Sequence, residues 1–473
     1  MDKLGILKIP DFCYLKNIKG AIMKALIIAA GNGTRMQPVT RGRHKSLMPL
    51  LGLKIIERVI LGAKEAGISE FVIVTGYKGK KLREFLGNGA KYDISISFIQ
   101  NNNWKKANGI STLAAQKHFR ENFVLLMSDH VFDPKTLIRI QRLKLKNNEC
   151  ALAIDKNLDT VLDVEDTTKV MVKDGHAIAL NKNLEVYNAY DTGMFVCSPY
   201  IFKVLAKSTK LGKNSLSHSM RVLISEGKLR TLNNKGRLWA DCDTWEDIKF
   251  AEKKFLKNLS KPADGILSKK FNRKVSTFIT RFLIKTPITP NMISVFIPVL
   301  AILTFFLLSK GTYPWLIFGG LMIQFLSIID GCDGEIARLK FMKSFLGAWL
   351  DPILDRYVDM ILIAGMAYGY WNTTSNNFIL FMAIMVIFAD VLQDYMSAKF
   401  FIITGKKLRS SLDFPFKRDL RMLVLAIGAI TSQVLVSFLV FAILVNLKVV
   451  LRAVSAKRIT EAGNIPLKLS SKI

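Results

Sequence analysis

The second half of the chain consists of apolar runs separated by short polar connections. Beyond Pro290 the runs cover residues 292–308, 314–329, 355–371, 378–396, 420–431 and 434–447. A helix needs roughly 20 largely apolar residues to cross a bilayer, so the shorter runs must recruit flanking residues. A helix can cross lipid because it satisfies its own backbone hydrogen bonds. The pattern predicts an all-α transmembrane domain over residues 290–455.

The basic residues indicate how many spans there are. Lys and Arg cluster before the first run, between the second and third, between the fourth and fifth, and after the last, whereas the other connections hold only Lys310. Basic loops stay on the cytoplasmic side. Six spans place every cluster on that side, whereas fusing the last two runs into one helix would divide the clusters. We therefore expect six spans in the cell membrane, with both termini and the first half of the chain on the cytoplasmic side.

Overall charge and hydropathy agree with a membrane protein. The chain has 68 Lys and Arg against 37 Asp and Glu, a net charge of +31, and half of its residues are hydrophobic. The two features together favour basic cytoplasmic loops over a nucleic-acid binder, so we expect a lipid bilayer and no nucleic acid as partner. The five cysteines contain no CxxC pair, which argues against a disulfide framework and a zinc site.

Four aspartates interrupt the apolar runs, namely Asp330, Asp333, Asp351 and Asp355. Spacings of three and four residues put each pair on one helix face. Four carboxylates at one point need cations to stay ionised, and carboxylate oxygens suit hard divalent ions. The alternative to a metal site is a set of aspartates that cap helix ends. The spacing of the four aspartates and the adjacent arginine disfavour this alternative.

The stretch that begins at Asp330, D-x2-D-G-x2-A-R-x8-G-x3-D-x3-D, resembles the signature of the CDP-alcohol phosphotransferases. Its other fixed positions are also matched, by Gly334, Ala337, Arg338 and Gly347. The resemblance implies that the four aspartates hold two Mg²⁺ ions, or Mn²⁺ in their place, on the diphosphate of a CDP-linked donor. It also implies that Asp355 is the base that deprotonates the acceptor hydroxyl. Small residues leave room for this ligand, and Arg338 adds a phosphate donor.

The first half of the chain alternates short apolar runs with amphipathic segments. KALIIAAG, EFVIVTG, ISISFIQ, NFVLLMSD, ALAI and MFVCS have the composition of strands, and IIERVILGAKEAG that of a helix. This alternation predicts a doubly wound, Rossmann-like α/β domain. We expect it at residues 23–255, after an N-terminal extension at 1–22. A basic amphipathic juxtamembrane segment at 256–289 and a basic tail at 456–473 complete the predicted organisation.

The first strand leads into a glycine-rich loop whose N–H groups can surround phosphates. LIIAAGNGTRMQPVTRGRHKSLMPLLG resembles the LAAGxGxR…PKxLxPLxG pattern of the nucleotidyltransferases that activate sugar phosphates, except that His44 replaces a proline. The resemblance implies that Arg35 and Lys45 are catalytic. The nucleotide-binding residues that it implies are Ala29, Ala30, Gly31, Gly33, Thr34, Arg35 and Lys45.

Two later segments resemble the metal-binding parts of this fold. LLMSDH ends a strand near Asp129, which would bind the metal and lie at the nucleotide. In WADCDTWED the family pattern favours Asp243 over Asp241 as the second metal ligand. We interpret His44 and His130 as bystanders.

Three further segments resemble its substrate-binding parts. NNWKKANGIST resembles a base-recognition turn, which would bring Gly109 and Ser111 near the cytosine. TKV and YDTGMFV resemble the acceptor-sugar region, which makes Lys169, Asp191 and Gly193 candidates. Ordinary strand and turn residues explain these last three equally well.

The order of the two domains resembles a bifunctional archaeal family, in which a CTP:inositol-1-phosphate cytidylyltransferase is fused to a di-myo-inositol-phosphate-phosphate synthase. The resemblance implies that the first domain makes CDP-inositol from CTP and inositol 1-phosphate. The second domain then transfers inositol phosphate to another inositol 1-phosphate and releases CMP. A homodimer through the membrane domain is a further implication. Candidate cations for the acceptor phosphate are Arg281, Lys417, Arg418 and Arg421.

Other functions remain open at this point. Another polyol phosphate or a phospholipid-synthesis substrate would use the same motifs; a soluble acceptor needs a basic pocket, and a lipid needs an opening between helices. The first domain could instead be a regulatory module that binds nucleotide without turning it over, which turnover of CTP would exclude. A transporter with intramembrane aspartates explains six spans but neither the first domain nor the aspartate spacing.

Overall fold

The structure is a computed structural model that describes residues 23–461 except 41, 147, 260–267, 409 and 414–415. The chain divides into two compact units between Asn258 and Leu259. The predicted extension at 1–22 and residues 462–473 of the predicted tail lie outside the described residues.

The first unit is built on a mixed sheet that has nine strands in the described part of the chain, in the order β5-β4-β1-β6-β11-β8-β12-β10-β9. Strands β5, β4, β1 and β6 are parallel, and β11 is antiparallel to both of its main neighbours, β6 and β8. Two short ribbons, β2–β3 and β7–β13, lie outside this sheet. The strands are β1 (Ala25–Ala29), β2 (Pro49–Leu50), β3 (Leu53–Lys54), β4 (Glu70–Thr75), β5 (Ser95–Gln100), β6 (Phe123–Met127), β7 (His130–Phe132), β8 (Cys150–Asp155), β9 (Lys169–Lys173), β10 (His176–Asn181), β11 (Ala189–Cys197), β12 (Leu229–Asn233) and β13 (Trp239–Asp241).

Helices cover both faces of this sheet. They are α1 (Gln37–Thr40), α2 (Ile55–Glu65), α3 (Gly79–Leu86), α4 (Asn108–Ala114), α5 (Pro134–Gln141), α6 (Tyr200–Lys210), α7 (Leu216–Ser225) and α8 (Trp245–Lys257). Successive strand residues point to opposite faces. Ile27 and Ile73 belong to the core with α2 and α5, whereas Leu26 and Val72 belong to the core with α6 and α7. The prediction of a doubly wound α/β fold is confirmed.

The second unit is all-helical. It begins with a π-helical turn, Ser268–Asn272, and continues with α9 (Arg273–Leu283), α10 (Pro290–Ser309), α11 (Tyr313–Leu339), α12 (Phe345–Thr374), α13 (Phe378–Thr404), α14 (Arg418–Ile430) and α15 (Val434–Glu461). Among the described residues, six helices thus follow Pro290, one at each predicted apolar run, and the predicted six-helix all-α domain is confirmed.

Four of these helices, within the part that the structure describes, are long and apolar enough to cross a membrane: α10, α11, α13 and α15. Large apolar side chains such as Phe318 and Ile384 are exposed on them by 59% and 66%. Such surfaces indicate association with a membrane.

Two backbone features set the helix packing. Ser432 has φ 58°, so the chain turns between α14 and α15 instead of continuing as one helix. A Cβ on Gly369 of α12 would overlap the carbonyl oxygen of Leu308 on α10. The missing side chain is what lets these two backbones approach so closely.

Candidate active sites

The glycine-rich loop of the first unit leaves the carboxyl end of β1. Ala29 and Ala30 are buried, whereas Gly31, Thr34 and Arg35 are exposed to solvent. Gly33 has φ +59°, and a Cβ there would lie 2.9 Å from the Cβ of Lys45. Glycine is therefore required at position 33 both for the backbone conformation and for the approach of the lysine.

His44 fixes the segment that carries Lys45. Its Nε2 lies 3.2 Å from the carbonyl oxygen of Ala29, and its Nδ1 accepts a hydrogen bond from the Ser46 N–H at 3.2 Å. Burial lowers the pKa of His44, in keeping with a neutral ring that donates at one nitrogen and accepts at the other. The residue that replaces the family's proline thus ties this segment to the end of β1.

The ammonium group of Lys45 bridges two carboxylates. Its Nζ lies 2.6 Å from Oδ2 of Asp129, and it also pairs with Asp243. Arg35 pairs with the other oxygen of Asp243 and with Asp166. Four residues predicted for this site (Arg35, Lys45, Asp129 and Asp243) therefore meet at one end of the sheet.

Asp129 also belongs to a group that could hold a metal ion. One ligand atom each from Asp129, His130 and Asp241 lies within 4.8 Å of the others. The two carboxylates fit Mg²⁺, which prefers oxygen, and the imidazole does not. Asp241 thus lies beside Asp129 in this group, whereas Asp243 pairs with Lys45 and Arg35. The metal-binding role of Asp243 stays a prediction.

The imidazole of His130 lies among acidic groups. Its Nδ1 lies 3.0 Å from Oδ1 of Asp129, and its Nε2 lies 3.7 Å from Oδ2 of Asp241. Burial alone lowers the pKa of His130, but Asp241, Asp129 and Asp191 raise it to about 9. The ring therefore carries positive charge at neutral pH and balances these carboxylates.

A cavity of about 320 Å³ opens beside these residues. Asp191 and Gly193 line it, as the acceptor-region prediction expects, and the Asp191 carboxylate accepts from the Gly193 N–H at 2.7 Å. Burial raises the pKa of Asp191 to about 6. Lys182 also lines this cavity and pairs with Asp166 at 2.6 Å. Sequence reasoning missed Asp166 and Lys182, because neither lies in a motif.

The other substrate-contact predictions fall on groups with partners inside the protein. A Cβ on Gly109 would lie 2.5 Å from the carbonyl oxygen of Asn214. The Ser111 hydroxyl is buried and accepts from Asn101 at 2.9 Å. The ammonium of Lys169 lies 5.4 Å from the centroid of the Tyr187 ring. Close packing and these contacts account for all three residues, and their roles toward substrate stay predictions.

In the second unit, Arg418 of α14 contacts carboxylates of both α11 and α12. Its Nη1 lies 2.9 Å from Asp330 and 2.8 Å from Asp355, and its Nε lies 2.9 Å from Asp359. A planar guanidinium can serve several carboxylates at once. Arg418, one of the four predicted cations, thus contacts two motif aspartates.

Three of the four motif aspartates, Asp330, Asp351 and Asp355, each offer a ligand atom within 4.8 Å of the others. Three oxygen donors suit Mg²⁺ or Mn²⁺. Asp333 instead accepts from the hydroxyl of Ser294 on α10 at 2.8 Å. The donor set fits a divalent ion, and a role for Asp333 in binding it stays a prediction.

The small and basic motif residues lie around this cluster on α11 and α12. A Cβ on Gly334 would lie 3.2 Å from Nη1 of Arg338, whose Nη2 lies 3.4 Å from the carbonyl oxygen of Leu259. Ala337 is half-buried on α11. Gly347 donates its N–H to Ser344 Oγ at 3.0 Å, in the first turn of α12.

Sequence reasoning missed a buried ionic network next to this cluster. Asp359 and Asp390 are 1% and 3% exposed, and Arg356 and Arg421 pair with both of them. Asp390 lies in the apolar run 378–396, where an ionised carboxylate costs free energy unless it is paired. Its position in the sequence therefore already indicates a buried ion pair. The structure thus places Arg421 in this network. Arg281 is exposed on α9, and Lys417 occupies the position just before the first residue of α14.

Comparison with known proteins assigns both units. The family model described as nucleotidyl transferase matches residues 24–159, and the one described as CDP-alcohol phosphatidyltransferase matches residues 287–454. A relative from Aquifex aeolicus named "Bifunctional IPC transferase and DIPP synthase" is 32% identical over 441 residues, which cover 90% of this chain and 96% of the relative. One of the same name from Archaeoglobus fulgidus is 32% identical over 429 residues, 89% of this chain and 81% of that protein.

Among solved structures, the inositol-1-phosphate CTP transferase from T. maritima aligns with 50% of this chain and 96% of its own, at 23% identity and a TM-score of 0.44. The chain is a bifunctional transferase that belongs to the family of the bifunctional IPC transferases and DIPP synthases.

Proposed function

We propose that the first unit makes CDP-inositol from CTP and inositol 1-phosphate, and that the second unit uses it to build phosphorylated di-myo-inositol phosphate. The observation that carries this proposal is the cluster of Asp330, Asp351 and Asp355, two of which pair with Arg418, in one chain with a nucleotidyltransferase site. The shared name of the full-length relatives supports it.

In the first step, a phosphate oxygen of inositol 1-phosphate attacks the α-phosphorus of CTP. A new P–O bond forms, the bond to the β-phosphate breaks, and diphosphate leaves. Lys45 supplies positive charge at the phosphates, and the loop after β1 offers its N–H groups. Asp129, with Asp241 or Asp243, would hold Mg²⁺ to stabilise charge on the phosphates. Asp129 and Asp243 also hold the ammonium group of Lys45 at this end of the sheet.

In the second step, a hydroxyl of another inositol 1-phosphate attacks the phosphorus that carries inositol in CDP-inositol. The bond to CMP breaks, and CMP leaves with the electron pair. Asp355 takes the hydroxyl proton, and Arg418, which touches both Asp355 and Asp330, binds the acceptor's phosphate. Mg²⁺ or Mn²⁺ held by the aspartates supplies charge stabilisation for the diphosphate when bound.

The arrangement in the bilayer is part of the proposal. Six spans keep every basic cluster on the cytoplasmic side and put both active sites there, where CTP is available. A homodimer through the membrane domain is proposed from the family resemblance alone.

The test uses purified full-length protein with CTP, Mg²⁺ and phosphorus-labelled inositol 1-phosphate, beside an Asp355→Asn variant. Wild type should yield CMP and the doubly phosphorylated product, and the variant should stop at CDP-inositol. If wild type leaves inositol 1-phosphate untouched but consumes CTP with another polyol phosphate, the inositol assignment is wrong and the two-domain chemistry stands.

A further inference from the structure

Helix α9 turns polar side chains toward α11. Arg273, Ser276 and Thr280 are spaced three and four residues apart, so they share one helix face. Ser276 and Thr280 are almost fully buried, whereas Phe278 and Phe282 are exposed by 61% and 57%. A surface helix usually buries its apolar stripe. The inward polar stripe of α9 therefore needs a partner that satisfies it.

That partner is the carboxylate of Glu335 on α11, which has no exposed surface. One oxygen of Glu335 accepts from Arg273 at 2.8 Å and from the Ser276 hydroxyl at 2.7 Å. The other oxygen accepts from the Thr280 hydroxyl at 2.7 Å. One buried carboxylate thus receives three donors from α9, including one counter-charge, which is the condition under which a buried charge is tolerated. Glu335 occupies one of the positions that the aspartate motif leaves open.

The same arginine lines a small cavity beside the motif. This cavity has a volume of about 90 Å³, and its wall includes Arg273, Gly331, Asp330 and Arg418. Nη1 of Arg273 lies 3.4 Å from the carbonyl oxygen of Gly331, and a Cβ at that glycine would lie 3.1 Å from the same nitrogen. Two guanidinium groups therefore share a cavity with a motif aspartate, and guanidinium pairs are suited to phosphate oxygens.

We propose that Glu335 is a positioning residue of the phosphotransferase centre. Its carboxylate links α9 to α11 and thereby holds the guanidinium group of Arg273 at this cavity. There, Arg273 and Arg418 bind a substrate phosphate. This inference rests on the proposed function, in which Arg418 binds the acceptor's phosphate. The alternative occupant of the cavity is the diphosphate of the CDP-linked donor, and the test separates the two.

The kinetic test supplies CDP-inositol and inositol 1-phosphate to the full-length protein and measures CMP release. Glu335→Gln keeps the size of the side chain and removes the counter-charge of Arg273. Arg273→Lys keeps the charge that Glu335 needs and removes the fork of N–H donors. Each variant should raise the KM of one substrate about tenfold, the equivalent of one lost charge-assisted hydrogen bond, and change kcat by less than about twofold.

The substrate whose KM rises identifies the phosphate. A rise for inositol 1-phosphate assigns the cavity to the acceptor, and a rise for CDP-inositol assigns it to the donor. The control is Lys274→Gln, which removes an exposed charge from the same helix and should match wild type. If Arg273→Lys keeps both KM values within about twofold of wild type, Arg273 does not bind a substrate phosphate. This outcome can be read even if Glu335→Gln folds poorly.

Hydrogen exchange over residues 273–283 tests the positioning role without activity. Ile279 and Leu283 pack on the apolar core in either variant, so α9 should stay attached. Glu335→Gln should exchange faster than wild type, and Arg273→Lys should not; wild-type exchange in Glu335→Gln refutes the positioning role. If wild type releases no CMP from these substrates, the proposed function fails, and the exchange result still decides whether Glu335 holds α9.

Discussion

Replacing Arg418 with alanine should have opposite effects on acceptor binding and on metal binding at the phosphotransferase centre. The side chain is 16% exposed and makes three contacts of 2.8–2.9 Å, to Asp330, Asp355 and Asp359. A hydrogen bond to a charged group is worth about 1.5–3 kcal/mol. If Arg418 binds the acceptor phosphate, its removal should raise the KM for inositol 1-phosphate roughly 10- to 100-fold.

The same substitution should strengthen the binding of the metal ion while it weakens the binding of the acceptor. Arg418 is a cation held against Asp330 and Asp355, two of the carboxylates in the candidate metal cluster. Without this cation the cluster is more negative and attracts a divalent ion more strongly. The Mg²⁺ concentration for half-maximal CMP release should therefore fall several-fold while the acceptor KM rises.

The assay is CMP release from supplied CDP-inositol, with inositol 1-phosphate and Mg²⁺ titrated separately. Asp359 should keep its contact with Arg356, 3.3 Å away, so the fold should survive a loss of about 3–5 kcal/mol. Arg418→Lys should give intermediate values for both quantities because it keeps the charge without the fork. An unchanged acceptor KM removes Arg418 from the acceptor site, and an unchanged Mg²⁺ requirement refutes the electrostatic argument.

Three further predictions concern other parts of the molecule. Lys45→Ala should lower diphosphate release from CTP by at least about a hundredfold, as expected for loss of a buried charged contact to phosphate, and should leave CMP release from supplied CDP-inositol unchanged. Gly369→Ala should destabilise the helical unit by more than about 2 kcal/mol, because its methyl group would overlap a backbone carbonyl oxygen of α10; a detergent-resistance or thermal assay measures this. Arg58→Met should cost the first unit about 2–4 kcal/mol, because this buried guanidinium donates to the carbonyl oxygens of Leu50 and Leu51 at 2.7 Å; denaturant unfolding measures this.

Two of these predictions have a matched control variant. Lys24→Ala removes an exposed lysine that pairs with Glu70 and should leave diphosphate release intact. Gly405→Ala meets open space but has φ +68°, so it should cost only about 1 kcal/mol. A wild-type melting point for Gly369→Ala, or unaltered unfolding of Arg58→Met, would show that the packing around these residues relaxes freely.

Local patterns in the sequence predicted many of the strands and helices. Alternating apolar runs placed the six strands that they predicted, since a strand buried on both faces must be apolar throughout. Apolar runs placed the six helices beyond Pro290, and the basic clusters predicted the break between α14 and α15. Motif spacing put Asp351 and Asp355 on one face of α12, because residues four apart share a helix face. The approach of Asp330 from α11 depends instead on how α11 and α12 pack.

Other features have no local signature. Strand β11 runs against its neighbours, and the short strand β13 brings Asp241 rather than Asp243 to Asp129; both depend on how distant segments meet. The guanidinium of Arg418 reaches three aspartates from two other helices, and Glu335 gathers its donors from α9. The sequence by itself determined which residues are chemically able to hold metal and phosphate, through composition and spacing. Only the tertiary structure decided which charges face one another, because ion pairs form across elements that are far apart in the chain and are selected by packing.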